Sequence, residues 1–197
     1  MNKGRLYIVG TPIGNLGDIT VRAIDILKGV PFILAEDTRE SIKLLRKYSI
    51  DTQLISYRDQ NHDRMFEKVL EKLDMGIDLA LISDCGTPLI SDPGFKLVRD
   101  LRAKGYIVES IPGPSALIAA LSISGLPTDR FSFLGFLPKS SKKRKEILDM
   151  YITLGSTIVV YESPQRVVRL LEEVLGISSS VDIVLAKDLT KMREEIL

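Results

Sequence analysis

Apolar residues recur along the chain in two alternating rhythms. Short β-branched runs read as strands: LYIVG (6–10), FILAE (32–36), QLISY (53–57), LALIS (79–83) and IVESI (107–111). Between them lie segments whose apolar residues repeat at helical spacing. In DRMFEKVLEKLDM, residues Met65, Phe66, Val69, Leu70 and Leu73 share one face. Asp92 followed by Pro93 reads as an N-cap and a first-turn proline that open GFKLVRDLRAKG, and Gly105 ends that helix. Strand–helix alternation of this kind predicts a mostly parallel sheet covered by helices, an α/β fold.

The rhythm changes near residue 112. PGPSALIAALSISGLPTD is rich in Pro, Gly and Ser around an apolar helix. FSFLGFLP (131–138), a basic helix, STIVVYES (156–163), a further helix and DIVLAKDL (182–189) follow. A junction between about 112 and 130 divides the chain into two α/β domains, residues 1–112 and 113–197. No internal repeat and no low-complexity tail interrupts them.

Composition narrows the classes of function. Lys plus Arg number 27 and Asp plus Glu 26, so net charge exerts no general pull on nucleic acid, although a local patch still can. Cys85 is the only cysteine, which excludes an internal disulfide and fits a reducing cytosol. ALIAALSISGL is too short to span a bilayer and reads as a core helix. MNKGRLYIVGTPIG lacks the long apolar segment of a signal peptide. A cytoplasmic protein with no membrane partner is expected.

The chemistry concentrates after the strands. LYIVG runs into TPIGNLGD, FILAE into DTRE, LALIS into DCGTPLISDPG, IVESI into PGPSA, FSFLG into FLPKSS and IVVYE into SPQR. Ligands of parallel sheets gather beyond the carboxyl ends of strands, and Gly and Pro let backbone approach them in fixed turns. Any one such loop is explained by turn formation alone. Six together, dense in Asp, Thr, Arg and Asn, point to a site. GTPIGNLGD lacks the Gly-Lys-Ser/Thr ending of a P-loop, and G-x-G-x-x-G is absent. No Cys/His cluster suggests a metal.

Seven motifs in order, VGTPIGNLGDIT, AEDTR, SDCGTPLISDPG, PGPSA, GFLP, YESPQR and AKDLTK, closely resemble the bacterial small-subunit ribosomal RNA cytidine 2′-O-ribose methyltransferases. These belong to the tetrapyrrole methylase superfamily, the class III S-adenosylmethionine methyltransferases. The resemblance covers essentially the whole chain. It implies two α/β domains with S-adenosyl-L-methionine in a cleft between them, a homodimer, and 16S ribosomal RNA in the small subunit as substrate.

It also implies roles. Pro12, Gly86, Thr87, Ile90, Ser115, Ala116 and Tyr161 would contact the methyl donor. A ribose hydroxyl is a weak nucleophile, so a positioned acceptor of its proton would help. Asp84, Asp92, Glu36, Asp37 and Glu162 all fall at strand ends, with Asp84 or Asp37 the candidates for the acceptor side and Asp92 a helix cap. Asn15 and Arg39 would hold phosphate or sugar, although Arg39 equally suits a pair with Glu36 or Asp37. In KSSKKRK (139–145), Lys142, Lys143 and Arg144 are candidate RNA contacts, with Arg166 a further one, and a solvated basic helix is the plainer reading. His62 is expected on a surface loop. Cys85 stands where the family usually has alanine and is expected to be buried.

Two departures stand out. Asp188 replaces a usual glutamate, and the chain stops at MREEIL, where relatives continue with residues that complete the second domain. Competing functions are a tetrapyrrole methylase acting on a small precursor and a non-catalytic RNA-binding factor. An aspartate phosphatase fits poorly, because the first strand ends in GTP.

Overall fold

The structure, a computed structural model, describes residues 3–197. It divides into two units, the first ending at Ala116 and the second comprising Leu117–Leu197. The PGPS turn thus stays with the first unit.

Five strands build the first unit: β1 (Leu6–Val9), β2 (Phe32–Ala35), β3 (Gln53–Ser56), β4 (Leu79–Ile82) and β5 (Val108–Ile111). They lie within a residue or so of the expected runs. All pair in parallel, in the order β3-β2-β4-β1-β5. β4 sits at the centre with all four residues buried, whereas β3 forms a half-exposed edge. Four helices connect them: α1 (Val21–Gly29), α2 (Thr38–Lys47), α3 (His62–Asp74) and α4 (Phe95–Ala103).

Alternation along the strands assigns each helix to a face. Val9, Ile33, Ala35, Ala80, Ile82 and Ile111 pack with Ala23 and Leu27 of α1 and Leu44 and Leu45 of α2. The intervening Leu6, Leu34, Leu79 and Leu81 pack with Met65, Phe66, Val69 and Leu73 of α3 and Leu97 and Leu101 of α4. The chain therefore winds from β1 to β2 to β3 along one face, then returns through β4 to β5 along the other.

Local signals set the helix starts. The Thr20 hydroxyl accepts the Ala23 N–H at 3.1 Å, and the Asp37 carboxylate accepts the Arg39 N–H at 2.9 Å. Asp92, by contrast, caps nothing here. α4 opens after Gly94, whose φ of 123° no side-chain cap accompanies. Gly105, at φ 78°, follows its last turn as expected.

The second unit contains α5 (Ala116–Ile123, beginning at the boundary), β6 (Phe131–Phe136), α6 (Ser141–Thr153), β7 (Thr157–Tyr161), α7 (Pro164–Ile177), β8 (Ala186–Lys187) and β9 (Glu195–Ile196). β6 and β7 pair in parallel, and β8 and β9 antiparallel. Leu137, Leu148 and Leu170 centre its core. The strand expected over 182–189 shrinks to Ala186–Lys187, because the ladder partner it finds is only Glu195–Ile196. ALIAALSI forms the expected helix but not a core one, since within it only Leu121 is buried. Among the described residues no helix is long and apolar enough to cross a membrane.

Leu34 is fully buried at the middle of β2. Leu34→Ala should cost about 2–5 kcal/mol in urea unfolding through lost burial and the cavity left behind. The same change at exposed Met75 should cost well under that.

Candidate functional site at the carboxyl end of the parallel sheet

The connection leaving β4 heads for the opposite face from those leaving its neighbours β1 and β2. Such a reversal opens a crevice at the strand ends, where ligands of open α/β sheets bind. The loop filling that place is SDCGTPLISDPG.

Three loops are sewn together there. Thr11 and Gly86 form a two-bond antiparallel bridge, Thr11 N–H to Gly86 O at 2.8 Å and Gly86 N–H to Thr11 O at 3.0 Å. The buried Thr11 hydroxyl lies 3.3 Å from both the Ser83 and Gly86 carbonyls. The Thr87 hydroxyl donates to the Pro114 carbonyl at 3.2 Å. Gly10 and Gly113 touch backbone to backbone, so a Cβ on Gly10 would lie 2.8 Å from the Gly113 Cα. Gly86 adopts φ 77°, and a Cβ there would meet Ile13 Cγ2 at 3.4 Å. The β4 loop is also strained, with Leu89 at φ 73° and Ser91 at φ 66°. Such conformations persist where surrounding structure enforces them and cluster at ligand clamps. Asp59 does part of the enforcing by accepting the Gly94 N–H at 3.2 Å.

Of the expected donor residues, Pro12, Gly86, Thr87, Ile90, Ser115 and Ala116 belong to these three loops. Pro12 and Gly86 are buried, Thr87, Ser115 and Ala116 half-buried, and Ile90 exposed. The Gly86 amide and carbonyl and the Thr87 hydroxyl are spent on loop-to-loop bonds, so these two residues shape the crevice. Tyr161 lies in the second unit, half-buried, with its ring 4.9 Å from that of Phe133 and its oxygen accepting the Leu117 N–H at 3.1 Å.

Carboxylates line the adjoining strand ends. Asp84 is exposed and accepts the Asp37 N–H at 3.0 Å. Burial, and then the charges of Asp84 and Asp92, raise the Glu36 carboxyl above its ordinary range, against the opposing pull of Arg58. Burial likewise raises Asp92, with Asp84 adding to it and a hydrogen bond from Ser83 opposing. Asp37 behaves differently. Hydrogen bonds from the Arg39 side chain and backbone hold it far below the usual carboxylate range. It is a helix cap and ion-pair partner, and so a poor proton acceptor. Arg39 is correspondingly committed to Asp37 through Nε at 3.0 Å and through Nη2. Asn15 is exposed and its side-chain oxygen accepts the Gly17 N–H at 2.9 Å. No group of three His, Cys, Asp or Glu among the described residues is arranged to hold a metal.

Three expectations are corrected. Arg144 is not a surface contact: it is 3% exposed and ion-paired with Glu173. His62 is buried between Tyr57 and Asp100, at 2.9 and 3.0 Å, because α3 starts one residue early and turns it inward. Cys85 is exposed, since Ser83 takes the inward position at the end of β4. Lys142 and Lys143 are exposed as expected, and Arg166 is half-buried. Sequence reasoning missed Thr11, Gly10 and Gly113, whose signal was the repeated Gly-Thr-Pro and Pro-Gly-Pro turns. It also missed Arg58, which donates to the Glu36 carbonyl at 3.1 Å.

A winding reversal at β4, three knitted loops and flanking carboxylates describe a small-ligand site on a doubly wound domain. The chain belongs to the tetrapyrrole (corrin/porphyrin) methylase family, whose model matches residues 5–197. Among its relatives it is 48% identical over 192 residues to "Ribosomal RNA small subunit methyltransferase I" of Vibrio cholerae, covering 97% of this chain and 67% of that protein. It is 46% identical to the protein of the same name from Escherichia coli O157:H7, covering 99% and 68%. The one from Thermotoga maritima is 43% identical, covering 98% and 86%. Two solved structures share the fold at 19% identity. A cobalt precorrin-4 methyltransferase of cobalamin biosynthesis superposes with a TM-score of 0.72 over 98% of this chain and 84% of that one. The uroporphyrin III C-methyl transferase of Thermus thermophilus gives 0.63 over 98% and 87%.

Gly10→Ala should part the β1 and β5 loops, because backbone rather than a flexible side chain blocks the new methyl. The expected loss is about 1–3 kcal/mol by urea unfolding. Glu36 carries a raised folded-state pKa, so its contribution to stability is present below the ordinary glutamate range and is lost as pH rises through the raised value. Glu36→Gln should therefore raise Tm near neutral pH, and the gain should disappear as the pH falls below about 4. Thermal melts across that range check the sign.

Proposed function

We propose that this protein transfers a methyl group from S-adenosyl-L-methionine to the 2′-hydroxyl of a cytidine ribose in 16S ribosomal RNA, with the small ribosomal subunit as its partner. The observation that carries the reading is the 43–48% identity, across nearly the whole chain, to proteins named as small-subunit ribosomal RNA methyltransferases. The tetrapyrrole methylase alternative rests on fold alone, because the structural relatives with that chemistry are 19% identical.

The residues at the sheet end suit such a donor. The backbone knot of Thr11, Gly86 and Gly113 presents a preformed floor, and Pro12, Ile13 and Ile90 supply apolar surface. Glu36, Asp84 and Asp92 supply negative potential, which favours a sulfonium cation. When bound, the donor provides an activated methyl carbon. The chain's own task is orientation, which can supply a large share of the rate. Asp84, exposed beside two carboxylates whose proton affinity is raised, is the group we assign to the acceptor hydroxyl. Ser115, Ala116 and Tyr161 remain the proposed further donor contacts. Exposed Lys142 and Lys143 of α6 are assigned to RNA phosphate, a pairing that weakens with salt. A homodimer and a cytoplasmic location complete the reading.

The test incubates the protein with labelled donor and small subunits from a strain lacking the modification, then maps label on the RNA. Label on a cytidine 2′-oxygen is expected. Label on a base, on another nucleotide or in a small tetrapyrrole overturns the reading. Asp84→Asn should cut turnover roughly 10²-fold, with a much smaller loss of donor affinity by calorimetry from the one negative charge removed. Donor binding without transfer to any RNA would instead favour a binding factor on this fold.

A further inference from the structure

Arg144 lies inside the basic run KSSKKRK yet is almost wholly withdrawn from solvent, and its hydrogen bonds explain why. Its Nε and Nη2 grip the two Glu173 oxygens, each at 2.6 Å. Its Nη1 donates to the Pro138 carbonyl at 2.9 Å and the Lys139 carbonyl at 3.2 Å. Arg166 completes the row by donating to the Leu137 carbonyl at 2.9 Å, and it pairs with Glu162 at 3.0 Å. Three consecutive carbonyls, 137 to 139, thus each accept from a guanidinium. Ser141 joins from the other side, donating to Glu173 at 2.8 Å.

Withdrawing the Arg144–Glu173 pair from water is costly, and a buried pair seldom adds net stability over apolar packing. What it supplies is fixed geometry, since a guanidinium fork tolerates little displacement. The fixed object is the turn between β6 and α6. Lys139 stands on that turn, and Lys142, Lys143 and Lys145 follow in the first turns of α6, all four exposed. Cations at the positive end of a helix are disfavoured, so this arrangement is not explained by helix stability.

We infer that Arg144 and Arg166 are positioning residues, clamping the Leu137–Lys139 carbonyls so that Lys139, Lys142 and Lys143 face RNA phosphates as one preset surface. The inference rests on the RNA reading above for its ligand, but not for the clamp itself. Neither arginine is a phosphate contact in this account.

Glu173→Gln separates the alternatives, because it keeps the shape and raises net positive charge by one. If Arg144 were an RNA contact held in reserve, releasing it would tighten binding. A clamp predicts the reverse. With unmodified small-subunit ribosomal RNA as probe, Glu173→Gln should weaken binding about five- to tenfold in filter assays between about 50 and 200 mM salt. Arg144→Lys, which keeps the charge but loses the fork, should weaken it similarly, while donor affinity holds for both. Amide exchange at residues 137–141 should speed up in both variants, with α7 protection unchanged. Equal or tighter RNA binding by Glu173→Gln overturns the inference. So does unaltered exchange across 137–141 in both variants, whether or not RNA binds. Wild-type protein that binds no RNA removes the RNA reading and the phosphate-facing role with it, and exchange then decides the clamp alone.

Discussion

The reversal of winding at β4 is the constraint from which the site follows. β1 and β2 hand the chain to α1 and α2 on one face, and β4, lying between them, hands it to α4 on the other. Backbone that must diverge in opposite directions from adjacent strands leaves a gap, and the gap has to be bounded by something rigid. Here it is bounded by main chain. The Thr11–Gly86 bridge ties the loops after β1 and β4 together, and the Gly10–Gly113 contact brings those after β1 and β5 to van der Waals distance, which only residues without a Cβ permit at that second point. Turn-formers crowd the ends of these strands because the loops must meet each other as well as turn.

Rigidity there has an electrostatic counterpart. Burial, and after it the charge of the neighbouring Asp84, raises the proton affinity of Glu36 and Asp92, a cost the fold sustains through Arg58 beside Glu36 and through the hydrogen bond from Ser83 to Asp92. A cation arriving among them would relieve that repulsion. Asp37, one residue along from Glu36, is excluded from the cluster by its own arginine. Two neighbouring carboxylates therefore differ in chemistry because of partners the backbone assigns: Asp37 caps α2, and capping draws Arg39 onto it.

Much of this was legible beforehand, and the limits are physical. The strands announced themselves as β-branched runs because both faces of a parallel sheet are buried. Their order was not legible, since register and neighbours depend on contacts 70 to 100 residues apart, such as Leu6 with Leu79 and Val108. Candidate loops followed from turn composition, but the division of labour inside them did not. Thr11 looks like one more turn residue until the bridge to Gly86 is seen. α5 looked like a core helix because apolarity on all sides carries no direction, whereas α3 carried a direction that was read one residue short. His62 precedes Met65, Phe66 and Val69 by three, four and seven, the spacing of a single helical face, and it is buried with them.

The same periodicity carries the argument about the basic run. Read as composition, KSSKKRK is a string of equivalent cations. Read as helix, Arg144 stands three and four residues before Ile147 and Leu148, both of which pack into the core of the second unit. The lysines on either side face away from that core. Position and chemistry agree: a lysine ammonium is strongly hydrated and resists burial, whereas a guanidinium can be withdrawn if its donors are satisfied, and four of those on Arg144 are. Charge within one seven-residue stretch is thus split between a buried arginine that sets geometry and exposed lysines left to meet an anion. The split is decided by which helical face each residue occupies, so moving the arginine by one position would exchange the roles without altering the composition at all.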